Sequence, residues 1–256
     1  MKTLFLAWQD PESRKFFPIG KLTFSDNYYQ FVYIKGALAA KEQSNFQGLI
    51  SFPSLEKVYQ SQELFPLFSN RLLPRSRPEY KDFIKWMSVS QDDADPIALL
   101  ARSGGKKMTD TLEIFPYPEP DKEGIYHIHF FVHGISHLTE SSINRIEQLQ
   151  PSEQLLLVKD IQNPKDRNAI LLRTSENTPG DMHLLGYLPC YLAEDISKIL
   201  EETSVYVSVE RINSSPAPLQ FRLLCSINFT SLNNLCLFAN QIYQPIVNEI
   251  SQSISA

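Results

Sequence analysis

An α+β chain is what this sequence predicts, with a small N-terminal β-sheet or half-barrel carrying helices and a second β-rich, helix-bearing domain behind it. Three observations lead there. Short aromatic and branched runs recur in both halves, helix-spaced apolar stripes interrupt them, and a proline-rich charged stretch, Pro116 to Gly124, parts the two halves. The expected division is residues 1–118, a linker at 119–124, and residues 125–256. A chain of 256 residues, 43% hydrophobic and 21% charged, has room for two globular domains of ordinary size.

The first half opens with three strand-like runs, LFLAW, FFPIGKLTF and YYQFVYI, parted by the turn formers Asp10-Pro11 and Asp26-Asn27. FPSLEKVYQSQELFPLFSNRLLP then moves to helical spacing, with Pro53, Pro66 and Pro74 as breakers. A helix over EYKDFIKWM sets Phe83, Ile84 and Met87 toward a core. Asp95-Pro96 opens a short helix that Gly104-Gly105 closes, and TLEIFPY follows as a strand. Arg71, Arg75 and Arg77, with Lys81 and Lys85, form the densest basic cluster, either a solvated helix face or a patch for a phosphate or a protein partner.

Past the linker, IYHIHFFVHGI reads as a buried strand whose His127, His129 and His133 share a face with Phe131. No cysteine or carboxylate stands at a spacing that would complete a metal site with them, so no metal is expected. LLLV and AILL flank Gln162-Asn163-Pro164-Lys165-Asp166, which predicts a strand, a tight polar turn and a strand. That turn holds Asn163, Lys165, Asp166 and Asn168 together, as a ligand site or as a plain polar connection. A helix over Leu192 to Leu200 precedes two more strands, VYVSVERI and QFRLLCSINF. A helical stripe from Leu232 to Ile250, kinked at Pro245, is expected to pack on this second domain.

Composition excludes several classes. The net charge is −5, and the second half is the acidic one, with 9 Lys and Arg against 15 Asp and Glu after residue 120. That is not the footprint of a protein that grips duplex DNA by charge alone. Cys190, Cys225 and Cys236 are scattered, which suits a reducing compartment and neither a disulfide framework nor a zinc site. No apolar run approaches the ~20 residues a membrane helix needs, so a soluble, cytoplasmic protein without membrane contact is expected. Phosphate-binding, zinc-protease and nucleophile-elbow motifs are missing, and Asp92-Asp93 reads as a polar turn. The expectation is a non-enzyme without a cofactor.

The second half resembles the HIRAN domain, a module best known from DNA-repair translocases. The residues that carry the resemblance are FFVHGI with Gly134, Lys159-Asp160, the run Asn163-Pro164-Lys165-Asp166-Arg167-Asn168-Ala169-Ile170, and Gly186-Tyr187-Leu188-Pro189 ahead of a helix. The resemblance implies an OB or SH3-like β-barrel that binds single-stranded DNA, with selectivity for 3' ends. It places Phe131 as a base-stacking aromatic, Asn163 and Asp166 about a terminal hydroxyl and Tyr187 along the backbone, and counts Lys159 among the nucleic-acid-binding residues. Lys165 stands where the family has an aromatic, suited to a phosphate, and Cys190 replaces a basic residue. Read from the residues alone, Phe131 is equally a core aromatic, and Asp166 and Asn168 are equally turn caps.

Residues 4–118 resemble the N-terminal subdomain of HipA-type kinases, through Gly20-Lys21-Leu22, Phe68 to Pro74, Asp95 to Leu100, Ser103-Gly104-Gly105 and Thr111 to Pro116. No kinase lobe follows. This resemblance implies docking to a protein partner, a HipA-like kinase or a DNA-processing enzyme, with Arg71, Arg75 and Arg77 as the contact residues. Two functions therefore stand side by side: a single-stranded DNA-binding protein of repair or defence, and an antitoxin-like regulator. The sequence leaves the oligomeric state open.

Overall fold

In the computed structural model, which describes residues 2–90, 94–175, 180–230 and 236–247, the chain forms two compact units. The strands are β1 (Lys2–Gln9), β2 (Phe16–Ser25), β3 (Tyr28–Tyr33), β4 (Tyr59–Ser61), β5 (Leu112–Pro116), β6 (Ile125–Phe131), β7 (Gln154–Lys159), β8 (Ile170–Thr174), β9 (Leu184–Tyr187), β10 (Tyr206–Ile212) and β11 (Leu223–Thr230). The helices are α1 (Lys35–Ser44), α2 (Pro66–Ser69), α3 (Tyr80–Met87), α4 (Pro96–Ser103), α5 (Glu140–Gln148) and α6 (Cys190–Glu202).

The first unit is an antiparallel sheet in the order β4-β3-β2-β1-β5. The three early aromatic runs form its central strands because Leu4, Leu6, Ile19, Leu22, Phe31 and Tyr33 supply one buried core, the alternation in β2 shifting where its pairing with β1 skips Ile19. Phe52 stacks on Phe31 at 4.1 Å between ring centroids, and the Tyr33 hydroxyl donates to the Phe52 carbonyl at 2.6 Å, so the irregular stretch after α1 is tied into that core. The helical spacing expected over residues 52–74 yields only the short β4 and the single turn of α2, because prolines and an edge-strand pairing to β3 break it up. At α4 the local signals are obeyed: Asp95 caps Ile97 and Ala98, Pro96 opens the helix, and Gly104 ends it at φ 71°.

The tail departs from expectation. Among the described residues 236–247 it is a chain of turns with a short 3-10 segment, Gln241–Tyr243, and from Phe238 on it belongs to the first unit. Pro245 pairs with Ile34 instead of kinking a helix, the Ile246 amide donates to the Tyr33 carbonyl at 3.0 Å, and Phe238 packs edge-on against Phe5. The rings of Phe5 on β1 and Phe115 on β5 hold this segment in the first unit. The remainder of the expected stripe, including Leu235, lies outside the described residues.

The second unit is an antiparallel sheet in the order β6-β11-β10-β7-β8-β9. It closes on itself where the chain leaves β6: His133 and Tyr187 exchange both backbone hydrogen bonds at 2.9 Å. Ile128, Phe130, Leu155, Ile170, Leu172, Val207, Val209, Cys225 and Ile227 are all buried, as inward residues of a closed sheet must be. α6 buries Leu192, Ala193, Ile196 and Ile199.

The division is not the single cut expected at 119–124. Residues 78–90 cluster with the second unit. The reason is the apolar stripe of α3: Phe83 lies edge-on to Phe221 at 6.2 Å, and Asn213 Nδ2 donates to the Trp86 carbonyl at 3.0 Å. The expected linker is partly a built turn, since Asp121 Oδ1 accepts from the Glu123 and Ile125 amides at 2.9 Å each and so starts β6. No helix is long and apolar enough to cross a membrane among the described residues.

Candidate nucleic-acid interface

The loop between β7 and β8 is held by its own polar side chains. Ladder pairing ends at Lys159 and Ile170, and the Asp160 amide extends it by donating to the Ala169 carbonyl at 2.8 Å. Inside the loop Asn163 Oδ1 accepts from the Lys165 and Asp166 amides at 3.0 and 3.1 Å, and Asp166 Oδ1 accepts from Asn168 at 2.8 Å. Both side chains therefore hold the turn, as Asx residues do. Asp166 keeps one oxygen over: Oδ2 carries no protein hydrogen bond among the described residues, and the residue is half-buried. Lys165 and Arg167, on either side of it, are exposed and form no ion pair among the described residues.

Tyr187 closes the other side. Gly186 has a φ of 129°, and a Cβ there would sit 2.4 Å from the His133 carbonyl oxygen, so only glycine lets β9 approach close enough to seal the sheet. Gly134, at φ 78°, leaves space that the Tyr187 ring fills, with Tyr187 Cδ2 3.3 Å from where a Cβ would stand. The Tyr187 hydroxyl donates to Asp160 Oδ2 at 3.0 Å, and Asn163 Nδ2 donates to the same oxygen at 3.1 Å. Burial first, and then donation to Asp160, raise the Tyr187 phenol above its ordinary pKa. Tyr187, Asn163 and Asp166 are thus brought to one polar face. Asp160 is the residue that sequence reasoning passed over, although it stands in the Lys159-Asp160 pair that marked the region. Lys159 itself is engaged, its ammonium 2.6 Å from Glu201 at the end of α6.

Phe131 does not join this face as an open platform. Its register against Leu224 sets it on the outward side of the sheet, in line with His127 and His129, yet it is only 6% exposed. Phe221 covers it at 5.2 Å between ring centroids, and Phe83 of α3 packs on Phe221 in turn. The Phe131 ring is therefore sealed beneath an aromatic layer drawn from distant parts of the chain and is not the open base-stacking surface that the resemblance implied. Parity gave the correct side, and no pattern within β6 announced the cover.

The histidines of β6 have other partners. His127 lies between Asn228 Oδ1 at 2.6 Å and Asp121 Oδ2 at 2.9 Å, and these two acceptors raise its pKa, that of Asp121 first. Among the described residues no three His, Cys, Asp or Glu side chains converge as a metal ion would need. A further polar cluster had no sequence signal because its members are far apart. Arg145 of α5 grips Asp181 through Nε and Nη2 and reaches Glu153, while Asp181 Oδ1 lies 3.0 Å from His183. Arg145 holds the Asp181 carboxyl down at about 2, against burial. This cluster ties α5 to Asp181 and His183, just ahead of β9.

The basic cluster of the first half is split. Arg71 is a structural residue: its side chain is 2% exposed, its guanidinium makes a two-point pair with Asp110, and it donates to the Leu67 and Gly105 carbonyls. It is therefore not available as a contact residue for a partner. Arg75 and Arg77 are exposed. The polar turn at Asp92-Asp93 lies outside the described residues.

Comparison with known proteins places this geometry. The model of the HIRAN domain family matches residues 125–231, so the second unit carries a HIRAN domain. Among solved structures, the chain is similar to a protein from Lactobacillus plantarum, with 17% identity, 41% of this chain and 96% of that one covered, and a TM-score of 0.32. It is similar also to the HIRAN domain of human HLTF, with 20% identity, coverage of 46% and 86%, and a TM-score of 0.32. At those scores neither likeness bears on function. No curated protein matches the chain. The HipA-type resemblance of residues 4–118 finds no support in these matches.

Proposed function

We propose that this protein binds single-stranded nucleic acid, without catalysis, through the face made by the β7–β8 loop and Tyr187. A HIRAN domain implies nucleic-acid binding in general terms, and the match over residues 125–231 is the observation that carries the reading. The local chemistry agrees with it. Lys165 and Arg167 offer two exposed cations to phosphates, and the open Asp166 oxygen between them is an acceptor suited to a terminal hydroxyl, which a continuous strand lacks. Selectivity for a 3' end is the finer part of the proposal. With the aromatic of the family pattern replaced by Lys165, binding leans on charge more than on stacking, and an acidic protein then binds weakly and with strong salt dependence.

Fluorescence anisotropy of a labelled oligothymidylate in low salt tests this. Wild-type protein is expected to bind a free 3'-hydroxyl better than a 3'-phosphate or a circular strand, and Asp166→Ala is expected to lose about tenfold in affinity and most of that preference. Equal binding of all three ligands removes end selectivity. Absence of binding removes the nucleic-acid role.

A further inference from the structure

We infer that Asp160 is the positioning residue of this face, the group that sets Tyr187 and the Asn163 loop in one arrangement from beneath; the inference rests on the binding role proposed above. One carboxylate oxygen, Oδ2, receives two donors from two different elements, the Tyr187 hydroxyl at 3.0 Å and Asn163 Nδ2 at 3.1 Å. Its backbone is fixed as well: the Asp160 amide donates to Ala169 at 2.8 Å and its carbonyl accepts from the Asn163 amide at 3.1 Å. The consequence for Asn163 is orientation. An amide side chain has a donor end and an acceptor end, and holding Nδ2 on Asp160 turns Oδ1 toward the amides of Lys165 and Asp166. The loop residues that meet the ligand thus inherit their places from Asp160.

On the Tyr187 side, the ring lies against Gly134 and its hydroxyl ends on Asp160, so the phenol cannot turn without losing a hydrogen bond to a charged acceptor. Lys159, the adjacent cation, is taken by Glu201, which leaves the Asp160 charge to these two donors. The raised phenol pKa of Tyr187, due first to burial and then to Asp160, is in keeping with that geometry.

The test uses the full chain with Asp160→Asn, which keeps size and removes charge, Asp160→Ala, and Tyr187→Phe. Affinity for a labelled 3'-ended oligothymidylate and thermal stability are measured for each, and the Tyr187 ring-carbon signal across an alkaline titration for the wild type and the two Asp160 variants. Asp160→Asn is expected to lower affinity about fivefold and Asp160→Ala about tenfold, with the folded state intact at the assay temperature. The Tyr187 titration is expected to move to lower pH in both. In the double variant Asp160→Ala/Tyr187→Phe the losses are expected to fall short of additive, since both members of one hydrogen bond are gone. Wild-type binding that Asp160→Asn and Asp160→Ala leave unchanged overturns this inference alone. A lower melting temperature with an unmoved Tyr187 titration also overturns it, because it leaves Asp160 as a turn former only. A wild-type chain that binds no oligonucleotide overturns the binding role and this inference with it.

Discussion

Phe131 and Tyr187 both stand on the outward side of the second sheet, near the seam where it closes, yet one is sealed and the other only half-buried. Phe131 lies beneath Phe221 and, beyond it, Phe83. Tyr187 shares its row with Leu171 and Val158, and Val158 is 38% exposed. The two rings teach different things about how a surface is made. A strand's period of two decides which side a ring takes; whether that side is a surface depends on segments elsewhere in the chain. Tyr187 is defined by its own neighbourhood, because Gly134, Gly186 and Asp160 all lie in motifs that adjoin it in the sheet.

The largest effect expected from this contrast concerns the sealed ring. Phe131→Ala removes a buried aromatic from a packed layer and should cost about 3 to 4 kcal/mol of stability in denaturant unfolding, while the folded protein keeps its affinity for single-stranded oligonucleotide. A variant that stays stable but binds poorly would reverse the roles of the two rings and restore Phe131 as a stacking platform. Tyr187→Phe should do the opposite, with little change in stability beside a measurable loss of affinity.

A second, smaller effect sharpens the account of what holds the open side. Asp181 is held at about 2 against an ordinary 3.8, first by Arg145 and next, in the opposite direction, by burial. Because the folded value lies below the unfolded one, its contribution is complete above about pH 4 and disappears as pH falls toward 2. Acid unfolding of wild type should therefore show a decline in that window, and Arg145→Ala should flatten it. An identical acid profile in both proteins would mean that the Arg145–Asp181 pair does not contribute to stability.

The smallest expected change belongs to Lys165, an exposed side chain without an ion pair among the described residues. Lys165→Ala should weaken binding about threefold and reduce the slope of log affinity against log salt by about 0.7, the signature of one phosphate contact on a single strand. No change in slope would assign Lys165 to solvent.

How much of this was legible beforehand follows from the distance between cause and effect along the chain. The three aromatic strands, the capped helix at Asp95, the β7–β8 hairpin and the glycine turns were readable because each is set by residues within a few positions of it. α5 was not foreseen, and its amphipathic face becomes evident only beside the loops that Arg145 ties down. The tail was assigned to the wrong unit, since helical spacing cannot reveal that Phe238 would find Phe5 and Phe115. Arg71 read as a surface charge, and its burial depends on Asp110, far along the chain. In the candidate site, the motif singled out Asn163, Asp166 and Tyr187 as candidates, and the fold links them through the Asn163 and Asp160 side chains; Asp160 was visible in the same motif but lacked a partner until the fold supplied Tyr187.

The most direct measurement is an amide-resolved nuclear magnetic resonance titration of the full chain with a short 3'-ended single strand in low salt. Shifts concentrated at residues 160–169 and 186–188, with residues 80–87 and 219–221 unmoved, are the predicted result. Shifts centred on Phe131 and Phe221 with a silent β7–β8 loop, or none at all, would contradict it.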